Sequence, residues 1–192
     1  MPALPTKAEI RRHMLARRDM VEPKEAHAAA AALARHALAL AAADAPAGGV
    51  ISAYWPIRSE ISARPLVEAL AKAGFRTALP VMLGAGKPLR FRLWSPGDDL
   101  EKGPLGLSEP VDDAPAAEPD LLFVPVAAFD ARGGRIGYGG GNFDATLAAL
   151  RAKRKIVAAG LAYAMQEIDA VPAEPHDQRL DFVVTEEKVF SF

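Results

Sequence analysis

The chain has 192 residues, 51% hydrophobic and 24% charged, and its 23 basic side chains against 24 acidic ones leave a formal net charge of −1. A chain of this length buries roughly 70% of the surface its unfolded form exposes, so its core needs neither metal nor disulfide to hold it. The absence of cysteine excludes a disulfide framework, a thiolate zinc site and a cysteine nucleophile, and the near-neutral balance offers no overall basic field for duplex nucleic acid.

Residues 1–19 lack the apolar run of a secretory leader and mix their arginines with Glu9 and Asp19. Residues 27–43 are mostly alanine and carry Arg35 and His36, which argues for a helix in water rather than a membrane span. A cytoplasmic protein with no membrane or nucleic-acid partner is expected. Thr6-Lys7-Ala8-Glu9 is a capping-box pattern that predicts a helix over 6–20, and Glu22-Pro23-Lys24-Glu25 opens a second that must stop before Ala47-Gly48-Gly49. From there strand and helix alternate: strand 50–55, helix 62–73 closed by Gly74, strands 75–82 and 89–94. Residues 121–126 are apolar throughout, as a central strand covered on both faces would be. A helix over 144–153, a buried strand over 156–163 and a final strand over 182–185 follow. The fold class is α/β, a three-layer open, mostly parallel sheet with helices on both faces and an N-terminal helical pair. One domain spans 1–192, its helices over 1–46 packed on a core over 47–192. Residues 95–119, rich in Pro, Gly and Asp, are either a surface excursion or part of a binding rim.

The densest chemical signal is Arg132-Gly133-Gly134-Arg135-Ile136-Gly137-Tyr138-Gly139-Gly140-Gly141-Asn142-Phe143-Asp144, between the apolar strand and a predicted helix. In open α/β sheets that place is the ligand crevice. Glycines let backbone amides approach phosphate oxygens, the helix N-terminus adds its positive dipole end, and Arg132 and Arg135 supply charge. No Gly-Lys-Ser/Thr follows, so it is not a Walker loop, and the alternative is a plain glycine turn. Lys7 and Arg11 stand one helical turn apart and can face one anion, although a solvated helix face is the default for Arg11, Arg12, Arg17 and Arg18. His13, His27, His36 and His176 show no paired metal spacing.

Four separated segments resemble the 5-formyltetrahydrofolate cyclo-ligase family in order: Lys7-Ala8-Glu9-Ile10-Arg11, Trp55-Pro56-Ile57-Arg58-Ser59-Glu60-Ile61, Arg135 through Asp144, and Pro175-His176-Asp177-Gln178-Arg179-Leu180-Asp181. Gly103-Pro104-Leu105-Gly106-Leu107-Ser108-Glu109-Pro110 resembles the family's middle loop. The resemblance implies ATP- and Mg²⁺-dependent closure of 5-formyltetrahydrofolate to 5,10-methenyltetrahydrofolate with release of ADP and phosphate, by a monomer, on a fold in the style of sugar-phosphate isomerases and CoA-transferases. The alternative is a folate- or nucleotide-binding module without turnover.

The same resemblance puts Lys7, Arg11, Arg135, Ile136, Gly137, Tyr138, Gly139, Gly140, Gly141, Asn142 and Phe143 around the nucleotide, with Arg135 and Tyr138 as catalytic candidates. It puts Asp144 and Asp177 near Mg²⁺, and Trp55, Glu60 and Tyr138 on the folate. Packing is the other reading for Trp55, and a helix cap the other reading for Glu60. The chain departs from the family pattern at Asn142, where an aromatic ring is usual, and at Ala145, where a basic residue is common. Restoring a ring with Asn142→Tyr is expected to tighten folate by roughly 0.5 to 1.5 kcal/mol through stacking.

Overall fold

The structure, a computed structural model, describes residues 5–192; the reading of residues 1–4 as free of a leader lies outside the described residues. Helix α1 (Lys7–Arg18) starts on the expected capping box, with Thr6 Oγ1 accepting from Glu9 N–H and Glu9 Oε2 accepting from Thr6 N–H. Helix α2 (Pro23–Asp44) opens on proline, whose missing N–H is no loss in a first turn. It is the one described helix long and apolar enough to cross a membrane. Its apolar face is instead spent on the core, where Leu33, Ala37 and Ala41 are fully buried.

An eight-stranded sheet is built from β1 (Val50–Ser52), β2 (Arg76–Val81), β3 (Arg90–Leu93), β6 (Ala116–Ala117), β7 (Leu121–Pro125), β10 (Val157–Leu161), β11 (Phe182–Val184) and β12 (Val189–Ser191), in the spatial order β12-β11-β10-β7-β1-β2-β3-β6. The five central strands, β11 to β2, run parallel, and β12, β3 and β6 add antiparallel edges. The continuous apolar run of β7 is explained by its place at the centre, with Leu121 to Val124 wholly buried. Helices α2 and α3 (Arg64–Lys72) cover one face, and α4 (Asn142–Arg151), through Leu147 and Leu150, covers the other. Helix α1 packs elsewhere: its Met14 joins Ala127, Ala128 and Ile136 on the small hairpin of β8 (Ala128–Phe129) and β9 (Arg135–Ile136).

Several expected boundaries move. The strand over 50–55 ends at Ser52, because Tyr54 and Trp55 turn away to wall a cavity. Helix α4 opens at Asn142 rather than Asp144. The final strand is β12, an edge strand beyond the expected 182–185 segment. Residues 95–119 are not structureless: β4 (Leu100–Lys102) and β5 (Ser108–Pro110) pair as a hairpin, β6 joins the sheet, and Leu107 to Glu109 line the cavity, which makes the segment a rim.

Candidate active site

The chain order reverses at β1. From β1 it proceeds outward to β2 and β3, and later returns to the other side of β1 as β7. In a parallel sheet such a switch point leaves a crevice at the carboxyl ends of the strands. A cavity of about 630 Å³ opens there, walled by Tyr54 and Trp55 after β1, Met82 after β2 and Pro125 at the end of β7. Every residue that the resemblance assigns to nucleotide, folate or metal lines it, from Lys7 and Arg11 on α1 to Asp177 near the end of the chain; Arg132, expected to supply charge to a phosphate, does not line it and pairs with Asp130 instead.

The glycine-rich loop 137–141 forms one wall. Gly141 is the N-cap of α4 in the left-handed conformation, φ 70°, and no side chain caps the helix. The first-turn amides therefore lack intrahelical partners and present the positive dipole end to the cavity. Gly139, at φ 95°, leaves room for Arg11: a Cβ there would meet the guanidinium at 3.3 Å. Arg11 Nε donates to Gly137 O at 2.6 Å, so this arginine braces the loop from below and is not a solvated helix face. Ile136 is 1% exposed and packed with Met14, which leaves only its backbone for a ligand.

The acids are spoken for by cations. Arg135, with a side chain 5% exposed, donates to Asp144 Oδ1 at 2.8 Å, and Gln178 N–H donates to the same oxygen. Burial lowers the Arg135 pKa, and the Asp144 charge opposes that. Lys7 Nζ donates to Asp177 at 2.7 Å and to Glu174 at 2.8 Å. Burial alone would lower the Lys7 pKa, but those two carboxylates outweigh it and raise it; Asp177, which burial would raise, is lowered by the same pairing. Glu174, His176 and Asp177 offer ligand atoms within 4.8 Å of one another, a grouping that does not include Asp144. A hard cation beside phosphate takes one or two carboxylates, so the group around Asp177 fits Mg²⁺, while Asp144, expected beside it, stands outside that group on Arg135.

Glu60, Trp55 and the glycine loop's own Tyr138 complete the lining. Glu60 is 9% exposed and does not cap α3, whose N-cap is Ala63; its Oε2 accepts from Ile57 N–H at 2.9 Å within its own turn. Burial pushes its carboxyl up to about 7, against the pull of that N–H, the Arg18 charge and the Tyr138 hydroxyl. Burial and the Glu60 charge raise the Tyr138 pKa. Trp55 satisfies both of its readings: it packs edge-on against Trp94 with centroids 5.4 Å apart, under the Arg64 guanidinium at 4.8 Å, and still faces the cavity. A second cavity of about 280 Å³ lies beyond the Trp55 wall.

Two features depart from the sequence expectation. Asn142 does not stand in for a ring; its Nδ2 donates to Gly84 O at 2.6 Å and Lys87 O at 2.9 Å, and Gly86 N–H donates to Gly140 O at 2.8 Å. It clamps the β2–β3 loop onto the glycine loop, a partnership across 58 residues that sequence cannot show. Arg18, grouped above with solvated arginines, is 1% exposed and donates to Ser59 Oγ and the Tyr138 hydroxyl. Lys7, Arg11, Met14 and Arg18 follow the i, i+4, i+7, i+11 spacing of a buried stripe, the signal by which Arg18 was legible.

Fold and cleft define an α/β protein whose cavity is lined by a glycine-led helix start and by an acid among aromatic side chains. The sequence model of the 5-formyltetrahydrofolate cyclo-ligase family matches residues 3–186. The chain is 34% identical to the 5-formyltetrahydrofolate cyclo-ligase of Mycolicibacterium smegmatis over 146 residues, 72% of this chain and 74% of that one. Against the enzyme of Escherichia coli strain K12 it is 34% identical over 148 residues, 74% of this chain and 80% of that one. The NMR structure of Aquifex aeolicus 5,10-methenyltetrahydrofolate synthetase superposes with a TM-score of 0.74 at 26% identity, over 96% of this chain and 92% of that one. The 5,10-methenyltetrahydrofolate synthetase of Mycoplasma pneumoniae shares the fold, with a TM-score of 0.73 at 21% identity, over 94% and 98% of the two chains. This chain belongs to the 5-formyltetrahydrofolate cyclo-ligase family and is a ligase.

Asn142→Tyr is now expected to cost about 2 kcal/mol of stability, because the buried Asn142 amide no longer ties the Gly84 and Lys87 carbonyls and a larger ring must fit its place, and to bring no gain in folate affinity. Denaturant midpoints with folate titrations check this; tighter folate at unchanged stability would return position 142 to a stacking role. Glu60 sets a pH dependence whose sign is fixed by its raised carboxyl. Its neutral form is favoured in the folded protein, so stability it contributes is full below about pH 4.5 and is lost as pH rises through about 7. The melting temperature of Glu60→Gln relative to the parent should therefore climb between those limits and level off above; a difference independent of pH would contradict it.

Proposed function

We propose that this enzyme closes 5-formyltetrahydrofolate to 5,10-methenyltetrahydrofolate using ATP and Mg²⁺, with release of ADP and phosphate. The observation that carries the reading is that an uncapped glycine-led helix start and a buried carboxylate, Glu60, line one cavity of about 630 Å³. That size lies within the range of small-molecule sites. ATP phosphates fit the loop 137–141 and the α4 N-terminus, with Arg11 and Arg135 supplying charge. Asp177 and Asp144 are the carboxylates that would hold Mg²⁺ beside the phosphates, where it would screen their charge.

The chemistry asks little covalent work of side chains. A formamide oxygen is a poor leaving group. Transfer of the terminal phosphate of ATP to it weakens the bond to carbon. The neighbouring nitrogen then forms its bond to that carbon and gives up its proton, and the oxygen departs with the phosphate. Catalysis is chiefly positioning and charge stabilisation. Arg135 holds the loop through Asp144 and the Gln178 carbonyl while placing its charge beside the phosphates. Glu60 offers two acceptors to the donor edge of the pterin ring, and Tyr138 and Trp55 offer ring faces.

Mixing the protein with 5-formyltetrahydrofolate and Mg-ATP should produce the methenyl absorbance; binding of both ligands without that absorbance would favour a non-catalytic binding module. Asp144→Asn should leave a cooperative melt and lower Mg-ATP-dependent turnover sharply, since a neutral amide is a poor ligand for a hard cation. Wild-type rates at limiting Mg²⁺ would remove Asp144 from the site. Glu60→Gln should raise the folate KM about tenfold with the ATP KM little changed, because one of two carboxylate acceptors becomes a donor. An unchanged folate KM would leave Glu60 as the lock of its own turn.

A further inference from the structure

Arg18 is among the largest fully buried side chains of the protein, at 1% exposure, and it does not reach the cavity surface. Its hydrogen bonds go to two neutral hydroxyls: Nε donates to Ser59 Oγ at 3.2 Å and Nη2 to the Tyr138 hydroxyl, with the guanidinium 5.6 Å from the Tyr138 ring centroid. Among the described residues no carboxylate lies within ion-pair distance of it. A buried guanidinium without a direct counter-ion is expensive, and a neutral donor could have tied the same two hydroxyls. Its charge has a use one residue further on. The Tyr138 hydroxyl that accepts from Arg18 also stabilises the Glu60 carboxylate, and Ser59 is Glu60's neighbour in the chain.

We propose that Arg18 is a positioning residue for the folate end of the cavity: from behind the wall it holds the Tyr138 phenol and the Ser59 turn against Glu60 and sets its guanidinium charge behind that carboxyl. This rests on the reading above that Glu60 meets the folate ring. The groups facing Glu60 are few. Arg18 comes from α1, Tyr138 from the glycine loop, Tyr54 from the end of β1, and the Ile57 N–H from its own turn. Tyr54 donates to Ile61 O and Arg58 acts on Tyr138, so Arg18 is the one cation among them that lowers the Glu60 carboxyl directly. The charges of Arg18 and Glu186 also act on Tyr163, in opposite directions. Without the guanidinium, burial acts unopposed by charge and the carboxyl takes up its proton at higher pH.

The test uses Arg18→Met, of similar bulk, and Arg18→Lys, which keeps the charge. Glu60 is titrated by carbon NMR of carboxyl-labelled glutamate in the unliganded protein, with Glu60→Gln assigning the signal. The midpoint, about 7 in the parent, should rise by about one unit in Arg18→Met and stay near the parent value in Arg18→Lys. Folate KM in Arg18→Met should be about fivefold higher at pH 7 and return toward the parent value by about pH 9, with ATP KM unchanged. A brace without electrostatic effect would raise folate KM equally at every pH and leave the carboxyl midpoint in place, and either result overturns the proposal. If Glu60→Gln leaves folate KM unchanged, the folate reading fails by itself, and the carboxyl midpoint still decides what Arg18 does.

Discussion

Three cations on one face of α1 hold the loops of the cavity together. Lys7 binds Asp177 and Glu174 near the end of the chain, Arg11 binds the carbonyl of Gly137, and Arg18 binds Ser59 and Tyr138. Met14, on the same stripe, fixes the helix to the β8–β9 hairpin. None of these loops belongs to the sheet, and each would otherwise be an exposed connection with its own freedom. A single twelve-residue helix, started by its capping box, brings them to one place.

The arrangement sorts the cavity by charge. At the loop 137–141 end, unpaired helix amides and the Arg11 and Arg135 guanidiniums favour anions. Where Tyr138 of that loop meets Glu60, burial holds a carboxyl at the edge of ionisation beside aromatic side chains. Charged groups in such a place are costly to bury, and for two of the cations the cost is met by short ion pairs, Arg135 with Asp144 and Lys7 with Asp177. The first turn of α4 stays open, because its N-cap, Gly141, has no side chain to cap it.

How much of this was legible in the sequence depends on the range of the interaction. The capping box, the buried run of β7 and the glycine segment before α4 are local patterns, and each stands in the structure near its expected place. The short strands β4, β5, β6 and β12 have two or three residues each, too few for a period-two pattern to declare itself. Arg18 and Asn142 were misread for a different reason. Both are polar residue types whose ordinary place is solvent or a turn, and their partners lie 41, 58 and 120 residues away. For Arg18 a local signal did exist, since the spacing of Lys7, Arg11, Met14 and Arg18 is that of a buried helical stripe. For Asn142 none did, because two backbone carbonyls leave no mark on composition.

Amide hydrogen exchange most directly tests whether the α1 stripe assembles the cavity. Lys7, Arg11 and Arg18 would be replaced together by methionine, which keeps the bulk and removes the charges, and compared with the parent chain. Protection should fall together in the segments 55–60, 137–141 and 174–178, while β7 and β10 at the centre of the sheet stay protected. Unchanged protection in those three segments would contradict the dependence of the cavity on α1.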